Sequence, residues 1–338
     1  MRGWISLLLA SLSVGCVART PTNATPVRAP EPPSWTTALD KDLPLVGKIW
    51  QASSATMVAE STLSAALTQA DFVLLGEQHD NRDHHRLQAR AVAALVGARR
   101  KPAVALEMLE PEDDALVDRY RADPHATAAG LGPVLAWEKT GWPAWSEYLP
   151  IVEVAFEAGL PLRSANLPRS VVRGIAHEGI GALPADTLTR LGLDRPLASA
   201  LEASLEEELR DSHCGQLPES MVGPMALAQR ARDGQMALRL LALGAPAVLI
   251  AGAGHARVDR GVPVRLHAAQ PNARVVSVAF VEVDSQRSSP QDYASRFGTT
   301  TLPFDFVWFT PRASDDDPCA QFPTRKPPPP MPTAPSDR

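Results

Sequence analysis

Two uninterrupted apolar runs, FVLLG at 72–76 and AVLIAG at 247–252, each close on a glycine, and each has a histidine three residues further on, His79 and His255. Short continuous apolar segments bounded by glycine are the habit of strands buried on both faces, as in parallel sheets covered by helices. Sheets of that kind bind ligands outside the carboxyl ends of their strands, so both histidines are expected on the functional edge. The chain has eight histidines in 338 residues, so a repeated Gly-x-x-His offset on two such runs singles this pair out.

Further candidate strands lie at 45–50, 103–108, 161–165, 274–283 and 305–309, beside the two at 72–76 and 246–251. Helical patterns separate most of them. Leu87, Ala91, Ala94 and Leu95 fall at helical spacing within 83–98, with Asn81 or Asp83 as its N-cap, and 142–158 reads as a second amphipathic helix. The stretch 168–243 is helical in pattern and holds no evident strand. Alternation of this sort predicts an α/β fold: a central, mostly parallel sheet flanked by helices, with a helical subdomain covering one end.

The first sixteen residues carry Arg2, an apolar stretch at 4–14 and then Gly15-Cys16. That stretch is too short to span a bilayer and suits the core of an export signal. LSVGC at 12–16 looks like a lipobox, with Ser13 at the place usually held by Leu. Cys16 is therefore expected to be the lipidated N-terminus, the alternative being simple cleavage to a soluble periplasmic protein. Residues 17–38 read as a proline-rich tether and 313–338 as a proline-rich tail, neither able to form a core. The α/β domain then spans 39–312. Net charge is −5 with no basic run, which argues against a nucleic-acid partner, and only the lipid would touch the membrane. Cys214 and Cys319 are far apart and have no metal-binding spacing, and an oxidising envelope favours a disulfide between them. The absence of Cys-x-x-Cys-His excludes covalent c-type haem attachment.

The chemistry-bearing residues gather at the strand ends. Glu77 and His79 are two apart, so persisting strand geometry would point both to one side. Glu107 closes the run AVALE, where a carboxylate needs a cation, a histidine, a metal or a proton. These residues with His255 make a cleft of carboxylates and imidazoles, suited to divalent metal binding or to general acid and base work. His84 and His85 cannot face the same way on a helix, and His84, nearer its start, is the one expected at the cleft. His213 follows the acidic helix 202–211, where a position near the helix C-terminus is electrostatically favourable on its own. Trp137, Trp142 and Trp145 cluster around Gly141, as core packing or as a wall for a flat apolar ligand.

Taken in order, LLGEQHDNRDHHRLQ at 74–88, ALEML at 105–109, HCG at 213–215, IAGAGHAR at 250–257, GVP at 261–263 and DFVWFTP at 305–311 resemble the ChaN-like haem-binding uptake lipoproteins of the Tiki superfamily. The resemblance covers roughly residues 45–312, and the ordered set is more specific than any one string. The superfamily also includes TraB-like proteins and erythromycin esterases. Its two Gly-x-x-His motifs and its glutamate correspond to 76–79, 252–255 and Glu107. The resemblance implies a bacterial envelope lipoprotein, anchored in the outer membrane and facing the periplasm, that binds haem non-covalently for iron uptake. Hydrolytic relatives imply the alternative of an ester or peptide hydrolase in which Glu77, His79, Glu107 and His255 activate water or hold a divalent metal. A third reading is a lipid-anchored interaction protein without catalysis.

Axial haem ligands are usually His, Met, Cys or Tyr. None of Tyr120, Tyr148 and Tyr293 aligns with a ligand position, so histidine is expected, from His79, His84, His213 and His255. A homodimer sharing haem is compatible with this reading and argued by no single residue.

Overall fold

The computed structural model describes residues 34–317 and 319–320. The expected export signal with Cys16, the expected tether up to residue 33 and the proline run at 327–330 lie outside the described residues. What is described builds one eight-stranded sheet. Its strands are β1 (Ile49–Gln51), β2 (Thr56–Val58), β3 (Phe72–Glu77), β4 (Ala103–Leu106), β5 (Leu162–Ser164), β6 (Ala247–Gly252), β7 (Val275–Glu282) and β8 (Phe306–Thr310). They lie in the order β2-β1-β8-β7-β3-β6-β4-β5. The run from β8 to β5 is parallel throughout, and the two antiparallel pairings, β2 with β1 and β1 with β8, lie at one edge.

The two Gly-x-x-His strands are therefore immediate neighbours at the centre of the sheet. In their register Phe72 pairs with Ala247, Gly76 with Ala251 and Glu77 with Gly252. All six residues of β3 are buried, as expected for a strand with helices on both faces. Successive side chains alternate between two cores. Val73 and Leu75 enter the core formed with α2 (Arg82–Gly97) and α5 (Trp145–Glu157). Phe72 and Leu74 enter the opposite one, with Met236, Ala237 and Leu240 of a long helix at Glu219–Leu243.

The remaining helices complete the cover. They are α1 (Glu60–Gln69), α3 (Asp113–Arg121), α4 (Ala128–Val134), α6 (Arg169–Glu178), α7 (Ala185–Arg190), α8 (Ser199–Ser212), α9 (Glu219–Leu243, the long helix), α10 (Ala253–Ala256) and α11 (Val262–Ala269). The strandless stretch of the sequence thus becomes α6 to α9, with small cores of its own. Asn81 caps α2, its Oδ1 accepting from the N–H groups of Asp83 and His84 at 2.9 and 3.2 Å. The candidate strand at 45–50 shrinks to β1 because Gly47, at φ +76°, turns the chain just before it. A disulfide joins Cys214, just past α8, to Cys319, closing a separation of 105 residues.

Candidate functional site

The glycine of each motif makes room for the other motif. A Cβ on Gly76 would stand 2.8 Å from the Cα of Ala253 and 3.0 Å from the Cβ of Ala256, because α10, which carries His255, lies across the end of β3. A Cβ on Gly252 would stand 3.0 Å from His79 Nε2. Neither glycine has a positive φ, so space, not backbone conformation, requires them.

Around this crossing, carboxylates and imidazoles alternate along the carboxyl edge. Glu77 Oε1 accepts from His79 Nδ1 at 2.8 Å and from the Tyr148 hydroxyl at 3.0 Å. Its Oε2 stands 3.4 Å from His85 Nε2. On the far side of His79, Nε2 lies 3.9 Å from Glu107 Oε2. That same Oε2 accepts from the Gly252 N–H at 2.8 Å, while Oε1 faces His255 Nε2 at 3.4 Å and Arg232 Nη1 at 3.6 Å. His255 Nδ1 then meets Asp233 Oδ1 at 2.6 Å.

The charge states follow from this pairing. Burial pushes Glu107 upward, but His255, then His79 and the Gly252 N–H, outweigh it and hold the carboxyl down at about 2. Burial also acts to raise Glu77, and His85 and His79 hold it well below the usual carboxylate range. His255 is the complement: burial opposes its charge, yet Glu107 and Asp233 raise it to about 10. It is an imidazolium with both nitrogens engaged. His79 is raised as well, against burial, chiefly by its hydrogen bond to Glu77.

The site opens on a cavity of about 620 Å³. His79 reaches it with 35 % of its side chain exposed and its Nε2 in no hydrogen bond, and Trp142 packs edge-on against the ring at 4.9 Å. Phe280 and Val281 of β7 and Phe297 line a second side. Leu205 and Leu209 of α8 form a third, so the helical stretch does wall the site. Among the described residues, no group of three or more His, Cys, Asp or Glu side chains is arranged to hold a metal ion. The donors pair with one another instead of converging on a point.

Sequence reasoning therefore needs correction at two of the histidines. His84 is fully buried away from the cavity: its Nδ1 accepts the Gln78 N–H at 2.9 Å and its Nε2 donates to Thr310 Oγ1 at 2.9 Å. Burial holds it neutral, down to about 3. Its neighbour His85 is the one turned to the site. His213 also lies away from the cavity, its Nδ1 at 2.8 Å from the Leu209 carbonyl, where it serves the C-terminus of α8. The tryptophans divide: Trp137 and Trp145 are core, packed edge-to-face with ring centroids 4.7 Å apart, and Trp142 alone of the three reaches the cavity.

Asp233, Arg232, Tyr148 and His85 are the participants that sequence reasoning missed. Asp233 had a signal, since it lies at helical spacing from Ala226, Ala237 and Leu240 on the buried stripe of α9. A carboxylate on such a stripe demands a partner.

With this geometry in place, the family can be read from comparison. The family model described as haem-binding uptake, Tiki superfamily, ChaN matches residues 63–266, more than half of the chain, which includes every residue of the paired site and stops short of the cavity walls from β7 onward. The chain belongs to that family. Among solved structures, ChaN of Campylobacter jejuni, described as binding haem cofacially, aligns with a TM-score of 0.61 at 23 % identity, over 77 % of this chain and 95 % of that one. The ChaN fold is thus shared. The type III effector HopBA1 aligns at 0.41 and 14 % identity, over 74 % of this chain and 92 % of that one. An erythromycin esterase EreC mutant aligns at 0.41 and 14 %, over 80 % and 98 %. Comparison with curated proteins found no match.

Proposed function

We propose that the protein binds haem non-covalently in the cavity at the carboxyl edge of β3 and β6, with His79 Nε2 as the axial ligand, and that it serves iron or haem uptake. The observation that carries this reading is the state of His79. Its Nδ1 is held by an ionised carboxylate and its Nε2 is free of hydrogen bonds at the cavity surface. Ligating imidazoles are oriented in this way, the second nitrogen donating to a carboxylate that fixes the tautomer and raises ligand basicity. His255 does not suit the role, because a buried imidazolium with both nitrogens engaged has no lone pair to give.

The donor set and shape fit the group. About 620 Å³ lies within the range of roughly 300–1,000 Å³ typical of sites that bury a ligand of moderate size. Trp142, Phe280, Phe297, Leu205 and Leu209 supply apolar walls for a flat ring. Haem bound there supplies an iron able to accept the imidazole. The protein's part is to aim His79 through Glu77, to keep Glu77 in place through Tyr148, and to hold Glu107 against His255 and Arg232.

A hydrolase at the same residues is less well served. Glu107, held at about 2, is a weak proton acceptor near neutral pH, and His255 is already protonated.

Titration of the purified protein with haemin is expected to give a saturable Soret shift that His79→Ala weakens by at least about tenfold, in keeping with loss of an axial ligand. A flat titration refutes haem binding, and an unchanged His79→Ala spectrum refutes the ligand. The haem stoichiometry, with the mass of the loaded protein in solution, tests whether haem is shared in a homodimer. The reading includes export and lipidation at Cys16, with the outer membrane, periplasm-facing, as its location. It expects a diacylglycerol-modified Cys16 in the mass spectrum of the mature N-terminus.

A further inference from the structure

A second cavity, of about 250 Å³, shares α9 with the first but none of its lining residues. Gln229, Arg232 and Asp233 of α9 face the large cavity. Gly234, Ala237, Leu238 and Leu241 line the small one, roughly a third of a turn round the same helix. Arg265, Ala268 and Ala269 of α11 form its opposite wall, and the loop that follows α7 closes it. That loop sits tightly on α9: a Cβ on Gly234 would stand 2.9 Å from the Leu191 Cα, and Gly192 turns the chain at φ +64°.

Two arginines reach the loop, one from each helix. Arg265 donates through Nη1 to the Gly192 carbonyl at 2.6 Å, and Arg230, one turn before Gly234 on α9, donates through Nη2 to the Arg195 carbonyl. Arg230 is only 7 % exposed, and its Nε is shut off from solvent with no hydrogen-bond partner. Among the described residues neither guanidinium has a carboxylate within ion-pairing distance. Arg257 and Arg260, just as deeply buried, differ in this respect: Arg257 is held by Asp259 and Glu208, and Arg260 by Glu208. Burial lowers both Arg230 and Arg265; for Arg265 the pull of Asp233 opposes it and the nearness of Arg230 adds to it. Two neighbouring cations withdrawn from water without an anion are costly, and a ligand that supplies one relieves the cost. Nε and Nη2 of Arg265 have no partner among the described residues, and a guanidinium meets a carboxylate best through two parallel N–H groups. The rest of the lining is largely apolar, from Leu191, Ala237, Leu238 and Leu241. At about 30 Å³ for each water-sized unit, the volume holds roughly eight heavy atoms.

We propose that the cavity between α9, α11 and the loop after α7 is a second binding site, for a small organic carboxylate with a short apolar chain. The carboxylate docks on Arg265 beside Arg230, and the chain lies along the leucines of α9. The site stands apart from haem binding, and its test involves no haem. Purified protein is titrated with hexanoate, acetate, 1-hexanol and inorganic phosphate, followed by NMR. Hexanoate is expected to bind saturably and at least about tenfold more tightly than acetate, since each buried methylene is worth a factor of about four. It is expected to exceed 1-hexanol by at least about tenfold as well, the scale of a charge-assisted pair. Arg265→Gln is expected to lower hexanoate affinity by at least about tenfold and to leave 1-hexanol unchanged. Ala268→Glu alters an exposed position and spares both arginines. It sets a carboxylate of the chain itself three residues from Arg265 on α11, and it is expected to abolish hexanoate binding with Tm within a few degrees of wild type. Arg163→Ala, which removes an arginine paired with Asp118, is expected to bind hexanoate as wild type does.

No saturable binding of hexanoate to wild type overturns the site. Acetate or phosphate binding as tightly as hexanoate overturns the ligand class, because the apolar wall then contributes nothing. Hexanoate affinity retained in either folded variant, Arg265→Gln or Ala268→Glu, places the carboxylate elsewhere and overturns the inference; if Arg265→Gln does not fold, Ala268→Glu decides alone.

Discussion

Adding one methyl group at each motif glycine separates the fold from the ligand site. At Gly76 the new Cβ meets backbone, 2.8 Å from the Ala253 Cα, with the Val278 carbonyl oxygen at 3.3 Å. Neither neighbour can rotate away, so α10 or the end of β3 must shift. Overpacking of that kind costs about 1–3 kcal/mol, and the reduced freedom of the unfolded chain returns about 0.4–1 kcal/mol. Gly76→Ala is therefore expected to lose about 1–2 kcal/mol and to lower Tm by roughly 2–8 °C. At Gly252 the Cβ meets a side chain, 3.0 Å from His79 Nε2 and 3.3 Å from its Cε1. The backbone there, φ −57° and ψ 145°, suits alanine, and the imidazole can yield by a few tenths of an ångström. Gly252→Ala should then melt within a few degrees of wild type. Its haem affinity should fall about 10–100-fold, the scale seen when the orientation of a ligating imidazole is disturbed. Differential scanning calorimetry and Soret titration on both variants read the two quantities. A Gly252→Ala protein that binds haem with wild-type affinity refutes the placement of the ligand on Nε2, because the methyl group occupies the space beside that atom.

Stability is expected to peak near pH 6.5, set by two histidines of opposite sign. The folded value of His84 is depressed to about 3, so its contribution is present above 6.5 and is lost as pH falls toward 3. The folded value of His255 is raised to about 10, so its contribution is full below 6.5 and is lost as pH rises through 10. Chemical denaturation from pH 4 to 10 should show both limbs, and Asp233→Asn should flatten the alkaline one; an alkaline limb unaffected by that change would refute the assignment to His255. Reduction of the Cys214–Cys319 bridge frees a loop of 105 residues, for which chain entropy predicts a loss of up to about 4.7 kcal/mol. The urea midpoint should fall on reduction in wild type and not in the double serine variant.

How much of this was legible in the sequence depends on the range of the interactions involved. β3, β6 and β7 read directly, because strands buried on both faces announce themselves as unbroken apolar runs. β2 did not: three residues, two of them exposed, carry no pattern. The four-residue α10 is shorter than two helical turns, so no periodicity could reveal it, yet it is the element that delivers His255. Among the adjacent pair His84 and His85, proximity to the helix start favoured the wrong one. The orientation was decided by the Gln78 N–H and Thr310, the latter 226 residues away, which together draw His84 out of the site.

The two Gly-x-x-His motifs are equivalent as strings and opposite in chemistry, and the reason is what stands on either side of each ring. His255 lies between two carboxylates, Asp233 at 2.6 Å and Glu107 at 3.4 Å, in a nearly dry setting where the pairing outweighs the cost of burying its charge. His79 has one close carboxylate, Glu77, and its other nitrogen stands 3.9 Å from Glu107, beyond hydrogen-bond reach and open to the cavity. One histidine neutralises Glu107. The other is left with a nitrogen to offer. Because Glu107 is held by His255, Arg232 and the Gly252 N–H, it does not compete closely for His79, so the fixed imidazolium of the second motif keeps the imidazole of the first available. Pairing β3 with β6 in register, with a glycine in each motif, is what allows two rings of one sequence pattern to divide the work in this way.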